Sequence, residues 1–298
     1  MQNEEKRVLL ASPRGFCIGV ERGINMLKDA IQKEQSPIYV RKEIVHNTVL
    51  IDYFKSLGVV FVDEVDEIPN GSVVVFSTHG VAPSVREKAR EKNLKVIDAT
   101  CPLVTKVHNE AIRFSELNYS IILVGDANHP EVIGVAAEAP NNIQVIRDEN
   151  DFEKITGIDD SRIAWLSQTT LNFDDTQKIV GRLREKYPAL QDPPQSDICY
   201  ATRNRQIAAR AIAEECDLFI AVGSKNSSNT NRLAEVASEA GANKAVRVDK
   251  PEELDNVDYS SVKTIGVSSG VSVTEEQLMG IIARLKEKGY GRIEERAI

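Results

Sequence analysis

Short runs of β-branched and aliphatic residues alternate with longer amphipathic stretches along the whole chain. Val73 to Phe76 followed by Pro83 to Lys92 is representative, an apolar run that predicts a strand and a charged stretch that predicts a helix. Alternation of this kind predicts a parallel α/β fold.

Stacking the segments brings out a threefold repeat. Three strand-like runs end near a cysteine and lead into a helical stretch: VLLASPRGFCIGVERGINML, KVIDATCPLVTKVHNEAI and SDICYATRNRQIAARAIAEE, with Cys17, Cys101 and Cys199 at the same station. At a second station, PIYVRKEIVHNTVLIDYF, SIILVGDANHPEVIGVAA and LFIAVGSKNSSNTNRLAEVA carry His46, then His129 with Glu131, then Ser227 to Asn229. At a third, VVVFSTHGVAPSVREKA, IAWLSQTTLNFDDTQKIV and TIGVSSGVSVTEEQLMGII carry His79, Thr169 and Ser272. An acidic connector precedes each third strand, in VDEVDEIPNG, RDENDFEKITGIDD and VDKPEELDNVDYSS. The expected fold is therefore α/β, with three related parallel-sheet units of roughly 85 to 100 residues. Their expected bounds are 8–95, 96–195 and 196–288, followed by a short C-terminal tail at 289–298. Ligands of parallel α/β units bind beyond the carboxyl ends of the strands, where all these polar loops lie. A pseudo-threefold, trefoil-like arrangement would point them at one central cavity.

Composition narrows the partners. A net charge of -8 over 298 residues, with no long basic cluster, argues against a nucleic-acid backbone or an anionic membrane surface. A small anion is still permitted, because a pocket's local field can be positive in an acidic protein. Met1 to Arg7 is charged and runs straight into an apolar segment, so no secretory signal is visible. No apolar run approaches the eighteen or so residues of a membrane span. A cytoplasmic location follows as the expectation, and there four cysteines read as free thiols or metal ligands rather than disulfides.

No pair of cysteines has the close Cys-x-x-Cys spacing of zinc ribbons or ferredoxins. Three thiolates from three equivalent loops would form a trigonal set, one ligand short of a full four-cysteine cluster site. A 4Fe-4S cluster held this way keeps one iron open, as catalytic zinc keeps an open position. Zinc with three thiolates and a water is a competing possibility, and three structural cysteines another. Cys17 and Cys101 stand at helix starts, where the dipole favours a thiolate, whereas Cys216 ends a helical run and reads as packing.

His46, His79, His129, Ser227, Asn229 and Ser272 are donors suited to a diphosphate, each ahead of a predicted helix. Each is equally a common helix cap when taken singly. Glu131 is the only carboxylate in the histidine-bearing loops and the best candidate acid, while His108 reads as an ordinary helix residue. Gly80, Gly134 and Gly270 read as turn formers or as hinges. GSKNSSN is not a Walker motif, and no G-x-G-x-x-G fingerprint is present.

The motifs PRGFCIGV, YVRKEIVHN, STHGV, DATCPLVTKVH, DANHPEVIGV, SQTTL, DICYATRNRQ and VGSKNSSNTNRL run from about Val8 to about Lys288. Through them the chain resembles the 4-hydroxy-3-methylbut-2-enyl diphosphate reductases, iron-sulfur enzymes that end the non-mevalonate isoprenoid pathway. The resemblance implies one 4Fe-4S cluster with three cysteine ligands, Cys17, Cys101 and Cys199, and one open iron. It implies substrate contacts from His46, His79, His129, Thr169, Ser227, Ser228, Asn229 and Ser272, and catalytic roles for Glu131, Thr169 and His129, with Glu131 and Thr169 in proton delivery. The last loop, SSGVSVTEE, departs from the family's pattern in lacking a proline soon after Ser272. The implied reaction cleaves the hydroxyl from an allylic diphosphate to give isopentenyl and dimethylallyl diphosphates. Electrons would come from an external carrier of ferredoxin or flavodoxin type, since no flavin or nicotinamide fingerprint is present. A quinolinate synthase-like lyase, which needs no net electron input, is the nearest rival; a fully ligated electron carrier is another.

Overall fold

The apolar runs of the sequence become strands whose side chains are buried on both faces, as in Val73–Phe76, Ile163–Ser167 and Leu218–Val222. Strands flanked by helices on both faces need no polar side. This computed structural model describes residues 6–34 and 37–297, so Met1 to Glu5 of the charged N-terminal segment and Ile298 of the expected tail lie outside the described residues.

The first elements are β1 (Arg7–Ser12), α1 (Ile18–Lys33), β2 (Ile38–Arg41), α2 (Thr48–Ser56), β3 (Val60–Val62), β4 (Val73–Phe76), α3 (Pro83–Glu91) and β5 (Lys95–Asp98). Next come α4 (Pro102–Glu116), β6 (Ser120–Val124), α5 (Pro130–Ala136), β7 (Ile143–Ile146), β8 (Ile163–Ser167) and α6 (Phe173–Lys186). Last are α7 (Tyr200–Ala213), β9 (Leu218–Val222), α8 (Ser228–Glu239), β10 (Ala245–Val248), β11 (Thr264–Ser269), α9 (Glu275–Glu287) and β12 (Arg292–Ala297). Each acidic connector contains a short 3-10 turn, at Val65–Glu67, Glu149–Lys154 and Pro251–Asn256. No helix among the described residues is long and apolar enough to cross a membrane.

The strands form three all-parallel sheets, ordered β3-β2-β4-β5, β7-β6-β8 and β10-β9-β11-β1-β12. The chain divides into two compact units. The larger, Ile18–Val45 and Val49–Cys199, carries the four- and three-stranded sheets; the smaller, Met1–Cys17, His46–Thr48 and Tyr200–Ile298, carries the five-stranded one. In the smaller unit the period of two is plain. Val8, Leu10, Ile220, Val222, Ile265 and Val267 pack with Leu278, Ile281, Ile282 and Leu285 of α9. Leu9, Ala11, Phe219 and Ala221 face the other way, against Ala208 and Ile212 of α7 and Leu233 and Val236 of α8. Each fully buried aliphatic of this kind contributes about 1.5–3 kcal/mol.

The cysteine-bearing strands lie elsewhere than the expected bounds would put them. β5, expected to open the second repeat, pairs with β4 of the first; β1, expected to open the first, pairs with β11 of the third. The segment before Cys199 adds no full strand to the second sheet; it meets β8 through a bridge between Ala164 and Gln191 and through side chains such as Asp197, which accepts from Ser167 N–H. Each repeat thus ends rather than begins at its cysteine, with β1 completing the last sheet. Hydrophobic pattern fixes which faces a strand buries but not which neighbour it pairs with. Residues 289–298, expected as a tail, carry β12, which pairs with β1 along its full length.

Candidate functional site

In every sheet the chain reverses its direction of strand addition between two neighbours: β2 and β4, β6 and β8, β9 and β11. Loops that leave such neighbours diverge and open a crevice at the strands' carboxyl ends. At β6 and β8 these loops carry His129 and Thr169; at β9 and β11 they carry Ser227 and Ser272; His79 follows β4.

The larger unit holds the acid. Glu131, in the first turn of α5, is 2% exposed, and both its oxygens are held by one residue across the crevice. Thr169 N–H donates to Oε1 at 2.6 Å and Thr169 Oγ1 donates to Oε2 at 3.0 Å. Those bonds favour the carboxylate, but burial outweighs them, aided by the charge of Asp197, and Glu131 is pushed up to about 7. A carboxyl poised there can hold or release a proton near neutrality. His129 caps α5, its Nδ1 accepting from Glu131 N–H at 3.2 Å, and the His79 ring meets the His129 ring edge-on at 5.6 Å.

A buried acid beside the cysteine loop was not singled out from sequence. Asp197 accepts from Ser167 N–H at 2.8 Å and from Lys106 Nζ at 2.9 Å, and burial pushes it up to about 6. Its signal was a carboxylate two residues before Cys199, in a stretch where a strand was expected.

The smaller unit holds a set of polar side chains around His46–Thr48. Asn47, 1% exposed, donates to the Ser272 carbonyl at 2.7 Å and to Gln277 Oε1 at 2.8 Å. Thr48 N–H donates to Ser224 Oγ at 3.0 Å, and the hydroxyls of Thr48 and Ser224 both donate to Asp249. Ser272 Oγ donates to the His46 carbonyl at 3.1 Å, so Ser272 and His46 are brought together. Sequence reasoning missed Asn47, Ser224, Asp249 and Gln277, which are scattered in the chain and meet only through the fold.

Ser227 caps α8, accepting from Thr230 N–H and from Thr230 Oγ1 at 2.9 Å, while Ser228 opens the helix. Asn229 is 2% exposed, yet neither its amide nitrogen nor its amide oxygen has a hydrogen-bond partner among the described residues. Leaving a buried polar group unpaired costs roughly 1–3 kcal/mol, so such a group marks a place for a ligand. Gly270 lets the two loops come this close: a Cβ there would lie 2.3 Å from Thr230 Oγ1 and 3.4 Å from Asn229 Nδ2.

The three cysteines share one local geometry. Each N–H donates to a carbonyl in the loop after the neighbouring third-station strand: Cys17 to Val271 at 3.1 Å, Cys101 to Thr78 at 3.0 Å and Cys199 to Thr169 at 2.9 Å. Each is half-buried, outside any disulfide, and immediately precedes a helix, α1, α4 or α7. Thiols presented this way suit soft metals and iron-sulfur clusters. Among the described residues no three His, Cys, Asp or Glu side chains are gathered as ligands of one ion. A cluster spreads its thiolates over several irons, one on each. Cys216, also outside any disulfide, differs in its setting: it is 3% exposed, donates to the Ile212 carbonyl, and is pushed up to about 12 by burial.

Residues 8–286 match the family described as LytB protein. A 4-hydroxy-3-methylbut-2-enyl diphosphate reductase of Mycobacterium sp. (strain KMS) is 54% identical over 97% of this chain and 87% of its own length. The enzyme named 4-hydroxy-3-methylbut-2-enyl diphosphate reductase 2 of Mycobacterium tuberculosis (strain ATCC 25618 / H37Rv) is 53% identical over 96% of this chain and 85% of its own. Among solved structures, the E-1-hydroxy-2-methyl-but-2-enyl-4-diphosphate reductase from Plasmodium falciparum superposes with a TM-score of 0.95 at 35% identity, over 99% of this chain and 92% of that one. A match that spans all three sheets, at this identity, makes the chain a member of the LytB protein family.

Proposed function

We propose that this protein is an iron-sulfur reductase that removes the hydroxyl of 4-hydroxy-3-methylbut-2-enyl diphosphate, giving isopentenyl and dimethylallyl diphosphates as the last step of the non-mevalonate pathway. The observation that carries the acid chemistry is Glu131, buried and pinned by Thr169, with its carboxyl at about 7. Cys17, Cys101 and Cys199 would hold one 4Fe-4S cluster, leaving one iron open. Bound there, the cluster supplies electrons one at a time and a Lewis acid for the C–O bond.

The chain's own residues do the rest. His46, His79, His129, Ser227, Ser228, Asn229 and Ser272 bind the diphosphate, with the orphaned amide of Asn229 gaining its missing partner. Thr169 also borders the substrate and fixes the direction of Glu131. The overall change consumes two electrons and two protons: the allylic C–O bond breaks, the hydroxyl leaves as water with a proton from Glu131, and carbon gains a C–H bond. A ferredoxin- or flavodoxin-type carrier would supply the electrons, in the reducing cytoplasm where free thiols persist.

Anaerobic protein reconstituted with iron and sulfide should oxidise dithionite-reduced methyl viologen only when 4-hydroxy-3-methylbut-2-enyl diphosphate is present. Loss of viologen colour independent of substrate, or none from a cluster-loaded protein, would overturn the proposal. Asn229→Leu separates binding from folding. It should raise thermal stability by about 1 kcal/mol by removing an unpaired buried amide, and weaken diphosphate binding about tenfold or more. Calorimetric titration with the substrate, alongside melting curves, reads both; a destabilised variant with unchanged affinity would make Asn229 a packing residue.

A further inference from the structure

His108 lies on α4, about two turns beyond Cys101, and is 4% exposed. Its Nδ1 faces Glu138 Oε1 at 2.7 Å, and the same carboxylate oxygen takes Arg86 Nη2 at 2.8 Å, while Arg86 also donates to the Val81 carbonyl at 3.0 Å. A carboxylate that close places the imidazole proton on Nδ1. The other ring nitrogen, Nε2, is buried with no hydrogen-bond partner among the described residues. Burial holds the imidazole below its ordinary pKa against the pull of Glu138, with Arg86 and Asp98 the other charges that bear on it. It is a neutral, oriented ring.

What that ring touches is informative. A Cβ on Gly80 would fall 2.7 Å from Nε2, and one on Gly134 would fall 3.2 Å from Cε1 and 3.3 Å from Nε2. Gly80 directly follows His79, and Gly134 lies three residues beyond Glu131 on α5, the helix capped by His129. One imidazole therefore fills the space between two backbones that carry three of the site's residues. Both positions are glycine, so backbone and ring meet with no side chain between. Glu138 holds the ring at its other nitrogen, and Arg86 in turn holds Glu138.

We infer that His108 is a positioning residue, a spacer that sets the distance between the His79 loop and α5 and so the width of the anion site between His79 and His129. The inference rests on the proposal that those residues hold the diphosphate. A misplacement of about 1 Å, even one caused by a residue away from the chemistry, can cost about a hundredfold in such a site.

The test is a mutant cycle in the cluster-loaded enzyme, read as KM and kcat for 4-hydroxy-3-methylbut-2-enyl diphosphate with reduced methyl viologen, alongside iron content and melting temperature. His108→Ala should raise KM about tenfold with iron content kept. Gly134→Ala crowds the ring and should raise KM about threefold, yet add nothing in the double variant, because the ring it crowds is gone. Multiplying effects, or a His108→Ala enzyme with unchanged KM whatever its melting temperature, overturns the inference. Should His108→Ala fail to fold, Gly134→Ala decides alone: a raised KM at normal iron content supports the spacer, and an unchanged one refutes it. Wild-type enzyme inert toward this substrate overturns the functional proposal itself, and the inference with it.

Discussion

Glu131→Gln is expected to retain its cluster and bind diphosphate while losing about two to four orders of magnitude in turnover. Glutamine keeps the shape and both contacts to Thr169: its carbonyl accepts from Thr169 N–H and its amide can donate to Thr169 Oγ1, replacing the pair seen at 2.6 and 3.0 Å. What it lacks is a transferable proton. In the native enzyme the carboxyl is raised to about 7 by burial, so the donor form is abundant below that pH and declines above it. The acid-dependent limb of the rate profile should therefore fall as pH rises through about 7, and should vanish in the glutamine variant. Stability carries the same sign. The folded protein binds this proton more tightly than the unfolded chain, with its ordinary value of 4.5. Glu131's contribution is complete below about 4.5 and is lost as pH rises to about 7. Melting curves across that window should be flatter for Glu131→Gln. A fully active Glu131→Gln enzyme would remove Glu131 from the mechanism.

Cysteine variants should divide sharply. Cys17→Ala, Cys101→Ala and Cys199→Ala are each expected to lose the visible absorbance and iron of a reconstituted cluster, and all measurable reduction with it. Cys216→Ala should retain both. The division follows from the matched amide-to-carbonyl bonds at Val271, Thr78 and Thr169, which set three thiols in one geometry at three helix starts. Cys216 is instead sealed against Ile212, and its thiol at about 12 stays protonated. Its loss removes a small buried group, at a cost of about 1–2 kcal/mol. A bound cluster also stabilises whatever state binds it. Wild type and Cys216→Ala should melt higher when loaded, and the other three should not. Full iron in any one of those three, or none in Cys216→Ala, would refute the ligand set.

Much of the fold was legible because buried parallel strands write themselves as unbroken apolar runs. VVVF, IAWLS and LFIAV needed no context, and the acidic connectors before the third strands turned out to be matching 3-10 turns. Strand partnership was not legible, since an apolar run does not name the neighbour it pairs with, and β5 is an edge strand that buries little on either face. β12 was missed for a related reason: RIEERA is too charged to read as a strand, and its place is fixed by pairing with β1. For the site, chemistry-bearing side chains stood out where they recurred at equivalent stations. Asn47, Asp249 and Gln277 did not recur, and their value lies in each other. Gly80 and Gly134 were visible as turn formers or hinges, but their contact with His108 could be seen only once α4 was in place.

The position of β1 has a bearing on how the protein comes into being. The strand is made ahead of every other described strand, yet its two neighbours in the sheet are β11 and β12, which are made after all the rest. Its loop is in the same position, because the amide of Cys17 waits for the carbonyl of Val271. Contacts so distant in sequence form late and slowly. Until they do, an apolar strand and a nucleophilic thiol are left uncovered on the nascent chain, open to aggregation and to oxidation. Cys101 and Cys199 meet their partners at Thr78 and Thr169 much sooner. Vectorial synthesis therefore orders the three thiols in time, and the first to be translated is the last to be placed.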